Sequence, residues 1–193
     1  MKNNNGKTKV VLVFVIIVIA AVVVFYYFIN KPKSDENMTV LSETQAVVQR
    51  DLSIEYPKSP RAVVKYYAEL SQCMYDTQNT EKDISDLAIQ SRKLFDAELL
   101  AQQTEEQYLV DLKSTIKKFA DEKRKIVNFT LSSVTDVEYA TVDEGELASL
   151  YCIYTLQKGT LNYSDKEQYI LRKDSEGHWK ILGWQTAGGN QGT

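Results

Sequence analysis

A chain of 193 residues with 8 Gly and 3 Pro has too few breakers for a long disordered tract or an all-loop scaffold. Two cysteines, Cys73 and Cys152, without CxxC spacing and a single histidine, His178, argue against a structural zinc site. The formal net charge is −3, and the N-terminal lead holds Lys2, Lys7 and Lys9 but no acid. The chain beyond the lead is therefore acidic and offers no basic face for nucleic acid and no polybasic hold on anionic lipid.

Val10 to Ile29 reads VVLVFVIIVIAAVVVFYYFI, without charge, proline or glycine. At about 1.5 Å per residue such a run crosses a hydrocarbon core of roughly 30 Å. It exceeds the h-region of a cleaved signal peptide and closes on Phe25-Tyr26-Tyr27-Phe28, the aromatics of an interfacial belt. The stretch is expected to be an uncleaved transmembrane helix in contact with the lipid bilayer. Three lysines precede it, while Lys31 and Lys33 come after it and are met at once by Asp35 and Glu36. This bias expects a single-pass protein of the cell membrane, N-terminus cytoplasmic and C-terminal domain extracytoplasmic. The organisation read from this is a lead (1–9), the span (10–29), a stalk with a short juxtamembrane helix (30–58), a domain (59–187) and a flexible tail (188–193).

Ser42 with Gln45 is a capping-box pattern and predicts a helix to about Arg50. Ser59-Pro60 predicts the next, to about Tyr75, with Val63, Tyr67, Leu70 and Met74 on one stripe and Val64, Tyr66 and Cys73 flanking it. Thr80 with Asp83 starts another, with Ile84, Leu87 and Ala88 inward, and its continuation supplies Leu94, Phe95, Leu99 and Leu100. Thr104 with Gln107 opens a helix through Tyr108, Leu112, Ile116 and Phe119 to about Arg124. The lysines near its end complement the helix dipole.

From Ile126 the period changes to 2. Strands are predicted over Ile126–Leu131, Ala148–Leu156, Glu167–Lys173 and His178–Gln185. Short turns join the last three, giving an α+β chain with helices packed on a curved four-stranded antiparallel meander.

The helix PRAVVKYYAELSQCMYD, the further helices and the ending YILRKDSEGHWKILGWQ resemble the NTF2-like (cystatin-like, cone-shaped) superfamily over about Ser59 to Thr186. With the anchor, the plan is similar to membrane-anchored NTF2-like proteins of Gram-positive bacteria, and to the bitopic scaffold subunits of type IV secretion and conjugation systems. The resemblance implies a pocket between the first domain helix and the concave sheet face, lined here by Val63, Tyr67, Leu70, Met74, Leu150 and Tyr154, with Cys152 beside them. Enzymes of that fold place an Asp, His or Tyr there as general base or polariser. No carboxylate is read on those stripes, and His178 falls beside a turn, so no catalytic, cofactor-binding or metal-binding residue is expected. The resemblance also packs the elements carrying Cys73 and Cys152 together, making them a candidate disulfide, with two buried free thiols as the alternative. The expected function is non-enzymatic binding or scaffolding of a partner at the cell envelope, with an envelope protein or a second copy as partner. Self-association would use the partly apolar outer sheet face at Tyr151 and Ile153. The alternatives are a secretion-channel scaffold and a small-molecule cone pocket.

Overall fold

The computed structural model describes residues 42–188. The membrane span expected at Val10–Ile29 lies outside the described residues, as do the lead, the stalk to residue 41 and residues 189–193. Among the described residues no helix is long and apolar enough to cross a membrane.

The first helix, α1 (Glu43–Val48), is started by a capping box in which the Ser42 hydroxyl accepts from the Gln45 N–H at 3.2 Å. Six residues do not hold a helix alone; tertiary bonds hold this one. Thr44 is buried and donates to Asn79 Oδ1 at 3.0 Å, and the Tyr66 hydroxyl donates to the Val47 carbonyl at 2.8 Å. The domain thus begins before Ser59.

In α2 (Pro60–Met74), the Ser59 hydroxyl accepts from the Ala62 N–H at 3.2 Å and Pro60 takes the first turn, where its missing N–H is not needed. Its stripe buries Val63, Val64, Tyr66, Tyr67, Leu70 and Met74. A second capping box, Thr80 with Asp83, starts α3 (Glu81–Arg92).

The helix expected to continue through Gln103 breaks at residues 93–96. Phe95 makes a single parallel bridge to Ile181, the Asp96 N–H donates to the Ile181 carbonyl at 2.8 Å, and the Ile181 N–H donates to the Leu94 carbonyl at 2.8 Å. Asp96 then caps a new short helix, α4 (Ala97–Ala101), accepting from the Glu98 N–H at 2.9 Å. The next helix, α5 (Glu105–Asp121), opens on the Thr104–Gln107 box and stops short of Arg124, because Lys123 takes a left-handed φ of 53°.

The rest of the domain is five strands, all antiparallel: β1 (Arg124–Leu131), β2 (Glu138–Val142), β3 (Gly145–Lys158), β4 (Leu161–Lys173) and β5 (Trp179–Thr186). The long β3 is central: β1 pairs with its C-terminal half, β2 with its N-terminal half, and β4 with most of its length, with β5 beyond β4. The α+β class and the order of helices before sheet are as expected; the four-strand count is corrected to five. β2 is exposed at every position, so it has no burial period to betray it. β4 begins at Leu161, within a stretch expected to be a connection, because Asn162 and Ser164 are exposed and Gly159, at φ 61°, allows a tight reversal before it.

The core lies between α2 and the inner sheet face, where Leu150, Cys152, Tyr169, Leu171 and Ile181 are fully buried. Arg172 fastens the broken helical segment to this sheet. Its Nε donates to Asp96 Oδ2 at 3.0 Å, its Nη2 to Asp96 Oδ1, and its Nη1 to Glu98 Oε1 at 2.8 Å. Burial pushes the Asp96 carboxyl up, but the Arg172 guanidinium and the Glu98 N–H outweigh it and hold it below the usual carboxylate range. Breaking the pair strands a carboxylate that is 5% exposed. Arg172→Met is therefore expected to cost about 3 kcal/mol in urea denaturation, and adding Asp96→Asn to recover most of it. The contribution should be present above about pH 3.9 and fade as pH falls through the folded-state pKa. A midpoint unmoved by Arg172→Met would refute the clamp.

Candidate functional site

A half-open cavity of about 280 Å³ lies among α2, the α3–α4 break, α5 and β5. Its floor is buried: Tyr67, Ser71 and Met74, spaced at four and three residues on α2, and Phe95 from the break. Its rim carries Gln102, Asp111, Thr115 and Trp184, all exposed, and Tyr108 and Leu112 of α5 and Arg92 of α3 lie between. Aromatic rings meet around it at tilted and edge-on angles. Tyr67 lies 5.7 Å from Phe95 and 5.5 Å from Trp184, and Phe95 stands at 88° to Tyr108 at 5.8 Å. The Arg92 guanidinium lies 5.5 Å from the Tyr108 ring centroid and donates to the Gln103 carbonyl at 3.2 Å. Burial raises the Tyr67 hydroxyl well above its usual pKa and pushes Tyr108 up to about 12, so both are neutral hydrogen-bonding groups near neutral pH.

Of the residues expected to line a pocket, Tyr67 and Met74 do so. Val63, Leu70 and Leu150 are buried in the packed core instead, and Tyr154 points its hydroxyl at that of Tyr169, 2.9 Å away. Trp184 escapes the sequence pattern for a specific reason. Alternation from Trp179 and Ile181 would put residue 184 on the outer face. A register shift at Leu182 (Leu171 faces Ile181, Ile170 faces Gly183) returns Trp184 to the cavity. Arg92, Phe95 and Asp111 also arrive through the break after α3 and the angle of α5, which no local pattern encodes.

The expectation of no inward carboxylate is corrected. Glu167 faces Cys152 across the β3–β4 ladder and shares the parity of Tyr169 and Leu171, so it belongs to the inner face. It is half-buried and accepts from the Tyr169 hydroxyl at 2.5 Å. Burial pushes its carboxyl up against the lowering effect of that bond, and Asp165 adds to the rise. Burial pushes the neighbouring Cys152 thiol up to about 12. Both cysteines are free, Cys73 half-buried and Cys152 buried, so the candidate disulfide is not formed.

Two further depressions lie elsewhere. One of about 590 Å³ between α1, α2 and the start of β1 exposes Cys73 beside Glu69 and Gln72. The other, about 480 Å³ on the outer sheet face, includes Tyr151, Ile153 and Lys166, whose ammonium sits 3.9 Å from the Tyr151 ring centroid. Asp174, Glu176 and His178 hold their ligand-type atoms within 4.8 Å of one another on the β4–β5 turn. Asp174 Oδ1 already accepts from the Glu176 and His178 N–H groups, and the His178 ring packs at a tilt of 33° against Tyr56, centroids 4.3 Å apart. This group builds the turn and lies apart from the cavity.

A family model described as Domain of unknown function (DUF6715) matches residues 1–184. The chain belongs to this family. Comparison with curated proteins gave no match. Among solved structures, this member of the DUF6715 family is similar to ActVI-ORFA from Streptomyces coelicolor, at 12% identity and a TM-score of 0.41, over 68% of this chain and 94% of that one. It is also similar to CagV, a VirB8 homolog of the T4SS from Helicobacter pylori strain 26695, at 15% identity and a TM-score of 0.40, over 65% of this chain and 96% of that one.

The inner-face carboxylate yields a test. Its pKa is raised on folding, so stability is highest below the ordinary glutamate range and falls as pH rises to the folded-state value. In Glu167→Gln the amide oxygen can still accept from Tyr169, and melting temperatures across about pH 4 to 8 are expected to lose that decline, leaving the variant at least as stable at neutral pH. A variant that keeps the parent's pH profile would show that Glu167 ionises freely.

Proposed function

We propose that the chain is a single-pass membrane protein, anchored through Val10–Ile29, whose extracytoplasmic NTF2-like domain binds a small molecule in the cavity and performs no chemistry on it. The observation that carries this is the open cavity. A purely scaffolding cone would be shut by Tyr67, Met74 and Tyr154. Tyr67 and Met74 instead form part of its wall, and a half-open space of about 280 Å³ remains. That is just under the usual range for ligand sites and suits a ligand smaller than a typical drug. The helices-then-sheet order, with the cavity beside the long helix α2, supports the NTF2-like assignment. The non-enzymatic reading is supported by the use of the polar groups. Glu167 is engaged by Tyr169 and lies outside the cavity wall, the Tyr67 and Tyr108 phenols are held neutral, and His178 belongs to a distant turn. The anchor and its orientation rest on the apolar run and the lysine bias before it.

Two measurements test this. Carbonate extraction should leave the full chain in the membrane pellet and release a chain lacking residues 10–29; a full chain that is released removes the anchor. Indole titrated into the full chain in lipid nanodiscs should shift the Trp184 side-chain N–H resonance saturably. Ser71→Leu, which fills the cavity floor, should abolish that shift. An indole response that survives Ser71→Leu, or is absent from the parent, would rule out the cavity as the site.

A further inference from the structure

The charges on the cavity wall point to one class of ligand. Arg92 stands on the last turn of α3, half-buried, and uses one N–H on the Gln103 carbonyl at 3.2 Å. Asp111 stands on α5 at the rim, exposed, and accepts from the Gln103 side-chain N–H. Among the described residues neither makes an ion pair, with the other or with any third group. Other charges of the same two helices do pair: Lys82 with Asp86, Lys113 with Glu81, and Lys117 with Asp121 at 2.8 Å. Of the charges on these helices that make no ion pair (Asp83, Arg92, Glu105, Glu106, Asp111 and Lys118), Arg92 and Asp111 are the two that line this cavity, and they are of opposite sign.

We propose, resting on the pocket reading above, that the cavity takes a small zwitterion with an aromatic side chain, the free aromatic amino acid class. Arg92 receives the carboxylate and Asp111 the ammonium. The guanidinium presents five N–H donors in a planar fork that matches a carboxylate, and most of that fork is unused here. A simple anion would be opposed by Asp111 and a simple cation by Arg92; a zwitterion satisfies both. Between them Tyr67, Phe95 and Trp184 offer ring faces and edges for an aromatic side chain. The volume, about 280 Å³, is that of roughly nine waters at about 30 Å³ each, the scale of one amino acid.

The test is calorimetric titration of the full chain in nanodiscs with L-phenylalanine, phenylacetate and phenethylamine. L-Phenylalanine is expected to bind at least about tenfold more tightly than either half-charged analogue, the difference one charge-assisted contact makes. Arg92→Gln should lower it to the level of phenethylamine, and Asp111→Asn to that of phenylacetate. The ligand series on the unaltered chain decides the matter even where a variant folds poorly. Equal binding of all three overturns the zwitterion and leaves the pocket. Absence of L-phenylalanine binding, with the indole response intact, also overturns the zwitterion alone. Loss of the indole response as well counts against the pocket reading and this proposal together.

Discussion

The arrangement of the domain depends on how Arg172 of β4 holds Asp96. Residues 93–96 could have extended the helix before them. They are drawn out as a short parallel partner of β5 through Leu94, Phe95 and Asp96, and the guanidinium locks that exit in place. Each polar contact here is one that a buried group must make. The Asp96 carboxylate is buried and would be costly to leave unpaired, and the Ile181 backbone would lack partners on that side. From this point the chain reverses into α4 and α5, and so the break decides where the cavity's outer wall stands. A helix continuing straight through Gln103 would carry Phe95 and Tyr108 elsewhere.

On the inner sheet face the constraint is different. Tyr154, Tyr169, Glu167 and Cys152 sit together on adjacent strands, and burial disfavours the charged form of each. The hydroxyls solve the problem in a chain, with the Tyr154 and Tyr169 oxygens 2.9 Å apart and Tyr169 donating to Glu167. Such a network is directional as well as satisfied, so it fixes the rotamers of the tyrosines behind the cavity floor. Tyr67 packs edge-on against Tyr169 at 5.9 Å, which carries that rigidity from the sheet to the cavity wall. The polar network and the ligand cavity are therefore neighbours that share one wall and do not merge.

Much of this is legible in the sequence where burial imposes a period. The α2 stripe, its Ser59-Pro60 start and the inner residues of β3 come from spacing alone. Glu167 is legible too, since it lies two residues before Tyr169 on the same face; the inner face of that strand simply begins earlier than its apolar residues do. Two kinds of feature are not legible. β2 carries no burial contrast, because it lies exposed at the sheet margin and is held by backbone pairing to β3. Trp184 and Val127 sit beside register shifts, at Leu182 and between Ile126 and Asn128, where one extra residue reverses every parity beyond it. A bulge of this kind is set by what the opposite strand offers, and the strand's own sequence does not announce it. The cavity could be expected from the resemblance, but Trp184 reaches its wall through the bulge, and Arg92 and Asp111 through the break after α3 and the angle of α5, which no local pattern encodes.

That the cavity is kept at all has an energetic implication. A dry, enclosed hole of about 280 Å³ would cost on the order of 7 kcal/mol at roughly 24 cal/mol per Å³. That is comparable to the whole stability of an ordinary domain, about 5–15 kcal/mol. This cavity avoids that cost by being half-open and by carrying Arg92, Gln103 and Asp111 in its wall, groups that can hold water. The same groups set what can replace the water. An apolar guest would displace water from the guanidinium and the carboxylate and leave each with its Gln103 contact alone, a loss weighing against it. A guest able to meet both would release the water without that penalty. The polarity that lets the fold tolerate an unfilled space is thus also what makes the space selective.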